Sequence, residues 1–319
     1  FGEGLIGNHY YFFVIDNDLS SVDSIAAHAA AIHINTFFVL LATSYLFRAS
    51  LAKRLSLPMM LPFVALTFMV MKRRAGFLTL GIALVLLVII LFQENRRLFY
   101  GIMPVLTVTA VIYIGIFWNS SGALGLPAQA IKSVFATDQA AAEDRSSDIY
   151  RVLENINIDF TIHQVPLTGV GFGKPFYILV EMPDISFFTF WEYITHNSIV
   201  WIWMKVGFGG FFALIALIGW SLISGLEVFQ RLLDPDLKAV MMTAVLYVVM
   251  HFTYAYVDMS WDIESMIYLG CMLGIINGME RIASRPKIAL TKRYPWSPEP
   301  NVLPDILPLE TVSAPNEVA

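Results

Sequence analysis

Seven apolar stretches dominate this chain, at 24–47, 57–71, 75–92, 98–118, 197–224, 237–257 and 261–279. A helix needs about 20 apolar residues to cross the hydrocarbon core of a bilayer. The spacing therefore predicts an all-α polytopic membrane protein with about seven transmembrane helices. Composition agrees, with 57% hydrophobic residues, only 14% charged residues and a mean hydropathy of +0.66. Soluble domains carry about 25% charged residues, so a water-soluble enzyme is excluded. The stretch 57–71 is short and holds Pro58 and Pro62, which predicts a tilted, kinked or partly re-entrant span.

The hydrophilic segment 119–196 is longer than a connection requires, and loops of this length are functional or disordered. The expected organisation is an extramembrane segment over 1–23, four helices over 24–118, a large, partly helical loop over 119–196, three helices over 197–283 and a disordered tail over 284–319. The opening "FGEGLIGNHYYFFVIDNDLS" reads as loop, and further chain is expected before it. Cys271 is the sole cysteine. It allows no internal disulfide and reads as a small core hydrophobe. There is no CxxC or HExxH pattern, so no metal site is expected.

Lysine and arginine set orientation. With the tail inside, the inner face receives Arg48, Lys53, Arg54, Arg96, Arg97, Arg231 and Lys238. The outer face receives 119–196 and a solvated turn with Asp258, Asp262 and Glu264. "MKRRAG" at 71–76 is the exception, because it places Arg73 and Arg74 outside. Either a span near the prolines is miscounted, or these cations hold an anion. The planar guanidinium fork suits a diphosphate.

Within the long loop, residues 148–158 predict a helix carrying Arg151 and Glu154 at i,i+3, and Arg145 lies just upstream. "PLTGVGFG" at 166–173 places Gly169, Gly171 and Gly173 in a GxGxG pattern. It lacks the βαβ context of a dinucleotide site, so the glycines predict a tight loop near a ligand. In "ITHNSIVWIWMKVGFGG" (194–210), His196 and Asn197 stand at the mouth of an apolar helix. The imidazole either caps and anchors that helix or accepts a proton in a reaction. Gly207 and Gly210 are three apart, so a shared helix face packed on a neighbouring helix is expected. Lys205 is expected to snorkel or face a cavity. His28, His33 and His251 read as polar packing or lipid-interface residues.

These residues together resemble the bacterial O-antigen ligase and O-antigen polymerase superfamily. Its signature is His, then Asn, Ser or Gln, nine residues, Gly, two residues, then Gly, Thr or Tyr. His196, Asn197, Gly207 and Gly210 match it in full. The family's upstream arginine, about fifteen residues before a Pro leading into GxGxG, corresponds to Arg151, followed by Pro166 and the run 169–173. Its arginine in an "SRG"-like run corresponds to Arg74, with Arg73 as the rival, although arginine stands here in place of the serine. The resemblance spans about residues 20–280 and lacks the family's N-terminal helices.

The resemblance implies a glycosyltransferase of surface polysaccharide and lipopolysaccharide assembly in the bacterial inner membrane. Its long loop would be periplasmic and its tail cytoplasmic. The donor would be a glycan on undecaprenyl diphosphate, and the acceptor a hydroxyl of a glycan or lipid. His196 would be the general base. Arg74 and Arg151 would hold the diphosphate, with Arg73 and Arg145 as substitutes. Asn197 and the five glycines would be structural. Membrane lipids are expected partners; nucleic acid, cofactors and metals are not. The alternative is a polytopic transporter of an anionic lipid or solute, or a non-catalytic accessory subunit.

Overall fold

The computed structural model describes residues 30–71, 74–120, 123–135, 142–183 and 191–284, and every regular element among them is helical. The elements are α1 Ala30–Leu46, α2 Leu51–Val70, α3 Arg74–Glu94, α4 Arg96–Phe117, a 3-10 turn Ala123–Gly125, α5 Leu126–Phe135, α6 Ala142–Gln164, α7 Ser198–Arg231, α8 Pro235–Val257 and α9 Ile263–Ser284. Six of them, α2, α3, α4, α7, α8 and α9, are long and apolar enough to cross a membrane. With 17 residues, α1 is a shorter apolar helix. This is the architecture of a helical membrane protein.

One expected span is corrected. The expected short stretch 57–71 is the later part of a continuous 20-residue helix that begins at Leu51 and contains both Pro58 and Pro62.

α8 is the central helix. Its buried residues run from Ala239 to Ala255, and α1, α3 and α7 pack around it. By contrast α4 buries nothing and leaves Val105, Val108, Val111 and Ile116 exposed, a surface suited to lipid.

Small polar residues join the helices where apolar packing gives no direction. Thr43 meets Thr243 at 2.9 Å. The fully buried Asn35 donates to the Gly76 carbonyl at 2.8 Å and to Thr79 Oγ1 at 3.0 Å. Ser50 N donates to Asp236 at 2.8 Å, and Lys53 pairs with the same carboxylate at 3.2 Å. These contacts make α1 antiparallel to α8. The start of α3 thereby lies level with the last turn of α8.

Two further expectations are corrected. Cys271 is exposed rather than in the core. Asp258 is buried, at 3% exposure, and accepts a hydrogen bond from the Tyr254 hydroxyl at 3.3 Å; Asp262 and Glu264 are exposed as expected. His33 and His251 are packed among aromatic rings. His33 stacks on Tyr268 at 4.6 Å, and His251 meets Tyr247 and Trp261 at 5.9 Å each. His28 lies outside the described residues.

Candidate active site

The site is built on α6. Its buried positions, Tyr150, Glu154, Asn157, Ile158, Thr161 and Ile162, recur at helical spacing and define one face. Half of that face is polar, so each polar group requires a partner. Asn157 accepts from Leu179 N and Val180 N and donates to Val180 O, each at 2.8 Å. Thr161 Oγ1 accepts from Tyr177 N at 2.8 Å. The helix thus fixes the irregular stretch 177–180 along its side.

Glu154 faces residue 196. Its Oε2 accepts from the His196 backbone N at 2.8 Å, and both carboxylate oxygens lie 3.2 Å from His196 Nδ1. The Glu154 side chain is 2% exposed and that of His196 24%. Tyr150, one turn earlier, presents its ring edge-on to the imidazole at 5.6 Å. Burial, and secondarily the Glu154 carboxylate, pushes the Tyr150 phenol up to about 12.

α7 begins immediately after this histidine. Asn197 caps it by accepting from Val200 N at 3.2 Å, the usual role of a short polar side chain at that position. Ser198 ties the same end to α8 and α9. Its hydroxyl donates to Asp258 O and accepts from Ser260 N, both at 3.1 Å, while Trp261 Nε1 donates to Ser198 O at 2.6 Å.

Gly207 and Gly169 act differently from the sequence-based expectation. Gly207 is not part of a smooth packing face. It has φ 69° and ψ −177° and breaks α7, a region of backbone space that is essentially glycine's alone. In an unbroken helix Phe208 N would bond Met204 O. Here Phe208 N donates to Pro166 O at 2.9 Å and Met204 O accepts from Val170 N at 2.8 Å. Lys205 O accepts from Gly171 N at 2.9 Å. Irregular backbone at a membrane is tolerated where protein satisfies it, and the glycine loop does so. A Cβ on Gly169 would lie 2.5 Å from Gly207 N, and one on Gly207 would lie 2.2 Å from Leu167 O. The two glycines therefore let loop and helix meet backbone to backbone.

The loop glycines make the expected tight turn, with Gly169 at φ 67° and Gly171 at φ 84°; the loop packs on α7, and none of its glycines lines the pocket described below. A Cβ on Gly171 or Gly173 would meet open space, and one on Gly210 would meet Val206 of its own helix at 2.7 Å rather than a neighbouring helix. Lys205 is buried at 1% exposure and neither snorkels nor lines this pocket. Its ammonium donates to Lys174 O and lies over the Tyr193 ring at 5.9 Å.

A pocket of about 170 Å³ opens where these elements converge, lined by Arg151, Asn155, His196, Asn197, Tyr256 and Val257. Ligand pockets for drug-sized molecules run to about 300–1,000 Å³. This one has room for a reacting centre rather than a whole glycan. It combines a permanent cation, an imidazole and the Asn155 carboxamide, whose buried Oδ1 has no partner among the described residues. Glu154 engages Nδ1 of His196, and the same residue lines the pocket. An arrangement of this kind can bind an anionic group and remove a proton beside it.

Of the expected arginines, Arg151 shares this pocket with His196. Arg145 lies in α6 and Arg74 opens α3, with side chains outside the described residues; Arg73 is outside them altogether. Glu154 and Asn155 were not among the expected site residues. The only sequence signal for them was the helical register of Arg151. The chain matches no family model and no curated protein.

Proposed function

We propose that this protein is a membrane glycosyltransferase of the O-antigen ligase or polymerase type. It would transfer a glycan from undecaprenyl diphosphate to a sugar hydroxyl on a lipid or glycan acceptor. The observation that carries the reading is the convergence of Arg151 and His196 on one pocket. They come from separate motifs and were paired in advance only by the resemblance.

In this reading His196 takes the proton of the acceptor hydroxyl as its oxygen bonds to the anomeric carbon. The bond from that carbon to the diphosphate oxygen breaks, and its electron pair stays on the diphosphate. Arg151 supplies fixed positive charge where that negative charge grows, an effect on the order of 10²–10³ in rate for a single donor. Arg74 would add a second cation, because α3 starts level with the α8 turn that carries Tyr256 and Val257. Leaving-group charge is then met by guanidinium groups, and no step calls for a metal or cofactor. The protein would work in the bacterial inner membrane, with the pocket on the periplasmic side.

The test is transfer in vitro. Purified protein in lipid nanodiscs receives its host's undecaprenyl-diphosphate glycan and a panel of lipid and glycan acceptors, with and without EDTA. Transfer that persists in EDTA supports the reading, and the acceptor used separates ligase from polymerase. Binding of the lipid diphosphate without transfer to any acceptor would favour a transporter or an accessory subunit.

A further inference from the structure

A buried carboxylate is costly unless its oxygens are well satisfied. Glu154 is almost fully enclosed, and among the described residues the hydrogen bonds its carboxylate makes all lead to one residue, through the His196 main-chain N–H and ring Nδ1. For stability alone, an apolar side chain at this position of α6 would pack at lower cost. A carboxylate at Nδ1 does something an apolar group cannot. It accepts a hydrogen bond from Nδ1–H, and so decides which ring nitrogen carries hydrogen in the neutral imidazole.

We infer that Glu154 is a positioning residue that holds His196 as the Nδ1–H tautomer and so turns a bare Nε2 toward the pocket as the proton acceptor. Tyr150 limits ring rotation further by its edge contact at 5.6 Å. The proton taken at Nε2 makes an imidazolium whose Nδ1–H already points at the carboxylate, so the developing positive charge is met without rearrangement. The catalytic consequence rests on the transferase reading above, whereas the tautomer does not.

Glu154→Gln is the decisive variant. The Gln carbonyl can keep the shorter bond, to the His196 main chain, so the fold is retained. Its amide NH₂ then faces Nδ1 and donates to it, which drives the proton to Nε2 and removes the base. In ¹⁵N-histidine-labelled protein in nanodiscs, with His196 assigned by its loss in His196→Gln, the neutral ring should carry its proton on Nδ1 in wild type and on Nε2 in Glu154→Gln. The turnover number should fall by about 10²–10⁴, the range of a positioned general base, while the melting temperature and the affinity for undecaprenyl diphosphate hold. Glu154→Asp should recover part of the rate.

An unchanged tautomer in Glu154→Gln, or a rate within about threefold of wild type, overturns the inference. The spectra decide the positioning role whether or not transfer is observed. Wild-type protein that transfers to no acceptor overturns the transferase reading instead.

Discussion

Replacing Gly207 by alanine should separate the glycine loop from α7. The added Cβ would lie 2.2 Å from Leu167 O and 2.5 Å from Leu167 C, so the loop backbone must retreat by roughly 1 Å to reach ordinary contact. The three loop-to-helix hydrogen bonds, at 2.8–2.9 Å, do not survive such a shift. At about 1 kcal/mol each they represent about 3 kcal/mol, and alanine at φ 69° adds about 1–3 kcal/mol of strain. The expected loss is about 4–6 kcal/mol, a fall on the order of 10 °C in melting temperature for a protein of this size. Two glycines calibrate the measurement. Gly171 has φ 84° but open space around its Cβ direction, so Gly171→Ala should cost only strain, about 1–2 kcal/mol. Gly219 has open space in regular helix, so Gly219→Ala should be neutral or stabilising by up to about 1 kcal/mol. Thermal unfolding in nanodiscs ranks the three, and limited proteolysis of 165–178 reports loop release. If Gly207→Ala melts with Gly219→Ala and its loop stays protected, the break in α7 does not depend on this residue.

Asn157→Ala leaves Leu179 N, Val180 N and Val180 O without their side-chain partner. It should destabilise by about 3 kcal/mol and expose 176–183 to protease, without changing the helices measured by circular dichroism. Arg151→Lys keeps charge but loses the planar fork; transfer should drop at least tenfold, mostly through weaker donor binding, as read by initial rates against donor concentration. Tyr150 gives an alkaline prediction. Its phenol is raised to about 12 in the folded protein against about 10 unfolded. Below that window both states hold the proton. Within it the unfolded chain releases the proton first, so stability falls as pH rises from about 10 to 12. Denaturant midpoints across that range should show a shallower decline in Tyr150→Phe.

Hydropathy was enough to read the apolar spans, because each must be apolar along its whole length whatever it packs against; it did not show α5, and α6 runs past the expected 148–158 at both ends. It did not reveal α2 in full, since Lys53 and Arg54 precede the apolar run and the two prolines suggest an interruption that a continuous helix absorbs. His196 and Arg151 were legible because motif spacing survives without knowledge of the fold. Glu154 was seen only as a helical neighbour of Arg151. Its bond to His196 spans 42 positions, and no local pattern encodes a contact that α6 and the start of α7 make only once packed. Gly207 shows a different limit. Two glycines three apart imply a packing face when the backbone is helical, and a positive φ cannot be read from the letters alone. Asp258 looked solvated because acidic turns usually are, yet the chain folds it beneath Tyr254.

The central claim is that His196 is the proton acceptor in glycan transfer at the pocket it shares with Arg151. Single-turnover transfer from undecaprenyl-diphosphate glycan by wild type and His196→Ala, at matched donor occupancy, tests it most directly. The account predicts a rate at least about 10² lower in the variant, with donor affinity kept. A variant that retains more than about a tenth of the wild-type rate would contradict it, because a positioned general base contributes more than that.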